Sequence, residues 1–83
     1  GGGTLSGIQR GIVEFTVDGY NERAFISMNQ QQVQQLEIDD GNTIQVVDID
    51  RNKPFAIVLP INAGNITFYD VNRNTVEYWN NPL

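Results

Sequence analysis

The chain contains no cysteine and no histidine, and lysine occurs once, at position 53. Without cysteine there is no disulfide framework and no thiolate metal site. Without histidine the commonest metal ligand and the commonest general base are both missing. Cations are scarce as well: five Lys and Arg stand against ten Asp and Glu, for a net charge of −5. No basic stripe is available to neutralise phosphates, which excludes nucleic acid and an anionic membrane surface as expected partners. No apolar run approaches the roughly 20 residues of a bilayer-spanning helix, and no secretory h-region is present. The G-x-G-x-x-G, P-loop, H-E-x-x-H and G-x-S-x-G patterns are absent from the sequence. No catalytic residues, cofactor or resident metal are therefore expected, and the chain is read as a non-enzyme.

Eighty-three residues suffice for one small domain with a modest core. Such a domain is marginally stable unless something adds to its buried surface. Assembly with other subunits is the expected source. Ten Asn and seven Gln outnumber the charged residues, a neutral polar bias associated with virion and surface proteins more than with cytosolic enzymes. Residue 1 is Gly rather than Met, which suggests processing or tag removal. "GGGTLSG" reads as a flexible arm or tag remnant, so residues 1–10 are expected as an arm and 11–83 as a single β domain.

"GIVEFTVDGY" alternates strictly, with Val13, Phe15 and Val17 on one face and Glu14, Thr16 and Asp18 on the other. Period two predicts a half-buried strand with Phe15 in the core, closed by the turn signal Asp18-Gly19. "RAFISM" predicts its hairpin partner, with Ala24, Ile26 and Met28 sharing a face. "SMNQQQVQQLEI" is the helical candidate: Ser27 and Gln30 fit a capping box, and Val33 and Leu36 form a narrow stripe. "DDGN" is a turn with Gly41 available for positive φ. In "TIQVVDID" the apolar phase changes between Val46 and Val47, which predicts a bulge or a strand buried on both sides. "PFAIVLPI" is the most apolar run and predicts a central strand, with Ile57 and Leu59 in the core. Turn signals every eight to twelve residues complete the expectation. It is a mainly β barrel or sandwich of about six mostly antiparallel strands with one short helix.

Several motifs could carry chemistry. Asp48, Asp50 and Asn52 have the D-x-D-x-N spacing that opens an EF-hand loop, but Lys53 stands where that loop needs Gly and its Glu is missing. A structural turn is the better reading, with Asp48 and Asp50 as at most a weak divalent-ion contact. Asp39 and Asp40 are adjacent at a turn and fit Asx-turn chemistry better than an acid–base pair. Lys53 reads as a solvated residue entering a strand. "NIT" at 65–67 matches the glycosylation sequon, and a turn leading into a strand explains it as well.

"NITFYDVNRNTVEYWN" holds four of the eight aromatic residues around a polar loop. On alternating strands one aromatic set lines the core and the other faces out. Exposed Tyr and Trp are enriched at interfaces because large rings bury area with little entropy loss. Tyr69, Tyr78 and Trp79 are accordingly the candidate partner-contact residues.

"ITFYDVNRNTVEYWN" resembles a hairpin common in bacteriophage tail-fibre, capsid-decoration and related virion proteins. That resemblance implies a virion location, a structural role as a decoration or cement subunit, and capsid or other virion proteins as partners in an oligomeric assembly. The segment from Ala24 to Pro60 is similar to half of a double-psi or cradle-loop β-barrel, of the kind found in N-terminal domains of AAA-type unfoldases. Leu36, Ile38 and Gly41 match its Leu-x-Ile-x-x-Gly element. This second resemblance implies an adaptor module that binds a protein or peptide.

Overall fold

The computed structural model of the chain describes residues 8–82. Its strands are β1 (Ile12–Thr16), β2 (Glu22–Ser27), β3 (Val33–Asp39), β4 (Ile44–Asp48), β5 (Phe55–Pro60), β6 (Asn65–Asp70), β7 (Thr75–Val76) and β8 (Tyr78–Pro82). They form two four-stranded sheets: sheet I in the order β5-β2-β1-β8, and sheet II in the order β4-β3-β6-β7. All pairings are antiparallel except that of β8 beside β1. The result is the expected mainly β, sandwich-like fold.

The core lies between the sheets. Ile12 and Phe25 of sheet I meet Val33, Leu36, Ile38, Ile66 and Phe68 of sheet II, all buried. Phe68 inserts among three rings of sheet I: Phe25 at 5.3 Å, Phe55 at 5.7 Å and Tyr78 at 6.1 Å between centroids. Edge-to-face and offset contacts of this kind add about 0.5–1.5 kcal/mol per pair beyond simple area burial.

The one described helical turn lies at residues 8–10, tied down where the Met28 N–H donates to the Ile8 carbonyl at 3.0 Å. The arm expected over 1–10 thus ends in ordered backbone, and residues 1–7 lie outside the described residues. No helix forms over 27–38. Asn29 prevents it: this buried residue holds φ +60°, and its side-chain amide takes both the N–H of Val33 (2.7 Å) and the carbonyl of Val33 (3.1 Å). Ser27, read as a cap, instead donates to the Gly11 carbonyl and accepts from the Asn29 N–H. Local side-chain bonds have outcompeted helical ones. The helical spacing of Val33 and Leu36 has another cause. Val33 pairs with Asp70 and Gln35 with Tyr69, so Gln34 is an extra residue in β3. That bulge turns two residues spaced by three onto one inward face.

Three further expectations change. The bulge expected near Val46 is absent from the β3–β4 register, which runs evenly from Gln35↔Asp48 to Asp39↔Ile44. Ile44 and Val46 simply face outward near an edge, while Val47 and Ile49 pack against the core. β5 is an edge strand rather than a central one, with Ile57 and Leu59 inward and Ala56, Val58 and Pro60 exposed. Pro60 at its end and Pro54 just before it suit an edge, where a missing N–H breaks no ladder. The aromatic hairpin is also split: β7 pairs with β6 only at Phe68↔Val76 and Tyr69↔Thr75, after which the chain crosses to sheet I as β8.

Gly64 closes the β5–β6 turn at φ +130°, where an added Cβ would stand 2.2 Å from the Asp39 carbonyl oxygen. Gly41 also has positive φ, but its surroundings are open. Gly41→Ala should therefore cost only the left-handed backbone strain of about 1–2 kcal/mol. Gly64→Ala must displace backbone as well and should cost about 3 kcal/mol or more. Urea denaturation of the two variants checks this; equal losses would contradict it.

Candidate functional site

The site begins with the direction in which β1 and β2 point their side chains. Glu14 and Arg23 face inward, with side chains 9% and 14% exposed, and form an ion pair at 3.2 Å. Each has further partners. Asn80 of β8 donates to Glu14 at 3.1 Å, and Arg23 donates to the Gly64 carbonyl at 2.9 Å. The Arg23 guanidinium also lies 5.4 Å from the Phe25 ring centroid. Its Nε is left without a partner. One network thus joins β1, β2 and β8 to the turn that enters β6.

Alternation then forces the neighbours outward. Phe15 pairs with Ala24, which pairs with Val58, and Val13 pairs with both Ile26 and Trp79. Phe15, expected in the core, lies instead on the outside of sheet I. There Phe15, Val17, Tyr20, Ala24, Ile26 and Val58, with Glu22 and Arg23 beside them, line an open depression of about 420 Å³ whose exposed surface is mostly apolar. Val17 (39% exposed), Tyr20 (66%) and Val58 (59%) leave much of their surface in solvent. Glu22, at one corner opposite Pro60, is the single charged side chain at the described outward strand positions of this sheet.

The three candidate contact residues separate in space. Trp79 lies on the same outer face, half exposed, with its ring against the backbone of Gly11: an added Cβ there would stand 2.7 Å from a ring carbon. Tyr78 points the other way and packs edge-on against Phe25 at 5.1 Å. Tyr69 is on the outside of sheet II, where its hydroxyl donates to Glu37 at 3.2 Å and Arg73 lies 4.6 Å over its ring. The hydrogen bond to Glu37, followed by burial and the Glu37 charge, raises the Tyr69 pKa against the opposing effect of Arg73. Arg73 also donates to Gln35. This second outer face is therefore internally paired around Tyr69, in contrast to the open apolar face of sheet I.

The polar motifs are taken up by turns. Asp39 accepts from the Gly41 N–H, and Asp40 from the N–H groups of Asn42 and Thr43 at 2.8 Å. Asp50 accepts from the Asn52 N–H and stands 4.0 Å from Lys53. Asp70 accepts from the N–H groups of Asn72 and Asn74, which pins the loop of the aromatic hairpin. Asn65 is exposed at the start of β6. Among the described residues, no three His, Cys, Asp or Glu side chains come together to hold a metal ion. Comparison with family models, curated proteins and solved structures finds no match to this chain.

Two predictions rest on this geometry. Glu14→Gln removes one charge of a buried pair and should destabilise the fold by about 3 kcal/mol or more, whereas Glu14→Leu with Arg23→Met should recover most of that loss. Chemical denaturation checks both, and a single-mutant effect below about 0.5 kcal/mol would show a solvated pair instead. The Asp40 carboxylate has its pKa lowered, chiefly by the Thr43 N–H and then by that of Asn42. Its contribution is therefore complete above the ordinary aspartate range and is lost as pH falls through the depressed value. An NMR titration should place the Asp40 midpoint below the ordinary aspartate value of about 3.9; a midpoint at or above it would contradict this.

Proposed function

We propose that this chain is a non-catalytic assembly subunit that packs the outer face of sheet I against neighbouring protein subunits. The observation that carries this reading is the reversed polarity of β1 and β2. The strands hold an ion pair inside and turn an apolar sheet face to solvent. A contiguous apolar surface of this size marks an interaction site rather than the scattered exposure normal for a monomer. Its aromatic members, Phe15, Tyr20 and Trp79, are the residue types that anchor interfaces. The lack of histidine and cysteine supports a role without catalysis, and the acidic charge supports protein partners rather than nucleic acid or membrane.

Within this class, the setting we favour is a virion shell, with the chain as a decoration or cement subunit. That setting is supported by the neutral polar composition and by the likeness of "ITFYDVNRNTVEYWN" to virion hairpins. The adaptor reading is supported by the Leu36, Ile38 and Gly41 spacing. Mechanistically, docking would remove the rings of the face from water at about 25 cal/mol per Å². Because the strands are already ordered, little conformational entropy remains to be lost on contact.

Sedimentation of lysates in which the chain is made at natural levels tests this reading. The wild-type chain should travel with a large particle, and Val58→Lys should release it to the soluble fraction. Val46→Lys, 51% exposed on the other sheet in the wild type, should stay particle-bound. A wild-type chain found only at the size of one or two copies, with no larger protein complex, would contradict it.

A further inference from the structure

β5 lies at the edge of sheet I, with β2 on one side and no described strand on the other. Its hydrogen-bonding phase follows from one contact. The Ile61 N–H donates to the Asn21 carbonyl at 2.8 Å, one step beyond the Glu22↔Pro60 pair. Hydrogen-bonded and open pairs alternate along an antiparallel ladder. Leu59, Ile57 and Phe55 therefore exchange bonds with Arg23, Phe25 and Ser27, while Ala56 and Val58 direct their N–H and C=O groups away from the sheet. Pro54 and Pro60 share the phase of Ala56 and Val58, so neither deprives β2 of a bond.

The sequence of this edge has nearly the same character in both directions. In "PFAIVLP", Pro54 and Pro60, Phe55 and Leu59, and Ala56 and Val58 stand at equal distances from Ile57. We infer that β5 pairs antiparallel with β5 of a second copy, about a two-fold axis through Ile57. In that register Ala56 of each copy lies opposite Val58 of the other. Each such pair exchanges both of its N–H···O bonds, and the symmetry forms the pair twice. Pro54 then faces Pro60 of the other copy, and with no N–H on either the ladder stops there. A slip by two residues would oppose Ala56 to Pro60, or Val58 to Pro54, and leave a carbonyl without a donor.

Two further observations favour this partner. The inward side chains of β5, Phe55, Ile57 and Leu59, pack against the core yet stay only half-buried. Pairing sets Phe55 against Leu59 and Ile57 against its own copy, which covers the part left open. The second observation is charge. Each chain carries a net charge of −5, but no charged residue lies between Lys53 and Asp70, so the copies meet through neutral strands. β4, the edge of sheet II, differs: the Ile49 N–H bonded to Gln34 sets its outward phase at Ile44, Val46 and Asp48, and self-pairing there would bring carboxylates together. Joining at β5 merges two four-stranded sheets into one and turns both outer faces the same way. The depressions that include Val58 become neighbours, and the outer face stays free for other subunits. The pairing does not depend on what docks there.

The test is light scattering coupled to gel filtration, with NMR amide exchange recorded on the full chain from about millimolar to about micromolar concentration. The expected result is the mass of two copies at the upper end, with the Ala56 and Val58 amides protected there and exchanging freely once the mass falls to one copy. The Ile57 and Leu59 amides, bonded to β2, stay protected throughout. Ala56→Pro removes an outward donor from each copy without touching the β2 ladder and should weaken the dimer at least roughly tenfold. The chain has no cysteine, so Ile57→Cys gives a second reading. Open antiparallel pairs hold their Cα atoms about 4.5 Å apart, within disulfide reach. Mild oxidation should link two copies through Ile57→Cys, while Val46→Cys on β4 stays unlinked. A monomer at every concentration would overturn the inference. So would a dimer whose Ala56 and Val58 amides exchange freely, or one linked by Val46→Cys and not by Ile57→Cys, since the contact would lie elsewhere. Protection of both amides at monomer mass, or only within a larger particle, would assign the edge to a different strand and overturn it too. A monomer that sediments with a particle and is released by Val58→Lys would overturn the pairing alone and leave the assembly role standing. A dimer that joins no particle would do the opposite.

Discussion

The ion pair between Glu14 and Arg23 sets the phase of half the molecule. Side chains on a strand alternate with a period of two, so fixing one inward position fixes every other residue on that strand. With Glu14 inward, Ile12 joins the core while Val13 and Phe15 face away from it. With Arg23 inward on the neighbouring strand, Phe25 enters the core and Ala24 and Ile26 turn outward. β5 and β8 follow by register, which brings Val58 and Trp79 to the same outer face. A one-residue slip of β1 would bury Phe15 and Val17 and expose the charges, whereas Val13 is already covered on the outer face. That alternative is the arrangement a free-standing domain would be expected to adopt.

The phase is held because the pair is linked at both ends. Asn80 binds Glu14 from β8, and the Gly64 carbonyl binds Arg23 from the turn into sheet II. A slip would strand each of these polar groups, and an unpaired buried charge costs more than a misplaced valine. Ionic pairs inside proteins are weak evidence for stability but can specify one arrangement over another. Here the arrangement specified is one with two apolar faces on a single sheet: one covered by sheet II, the other open. The outer face of sheet II shows the alternative, with Tyr69, Glu37, Arg73 and Gln35 bonded among themselves.

Much of this was legible in the sequence, and the failures share a cause. The hairpin of β1 and β2, the turns at Gly19 and Gly41, and the sandwich class follow from local alternation and turn chemistry. Alternation shows which residues share a face, but not which face is inside, and so the sequence alone points Phe15 to the core. Hydrophobicity ordinarily decides that question, and here a tertiary ion pair overrides it. The helix expected over 27–38 fails because of Asn29, whose amide substitutes for backbone pairing, and because a bulge at Gln34 imitates helical spacing. The splitting of "TFYDVNRNTVEYWN" between two sheets depends on the non-local pairing of β8 with β1. Among the contact candidates, alternation puts Tyr78 and Trp79 on opposite faces without deciding which is outside, and the crossing of β8 to sheet I turns Tyr78 inward and Trp79 outward. The depression around Val58 lacked any local signal, since its lining comes from three strands brought together only by register.

The central claim is that Phe15, Val17, Ala24 and Ile26 lie on the outer face of sheet I in the free chain while Glu14 and Arg23 lie inside. Attenuation of methyl NMR signals by a soluble paramagnetic probe, recorded in dilute solution, measures this residue by residue. The account predicts strong attenuation for Val17 and Val58, intermediate attenuation for Ala24 and Ile26, and protection of Ile12, Leu36 and Ile66. Protected Val17, Ala24 and Ile26 methyls in a dilute monomer, alongside an exposed Ile12, would contradict it.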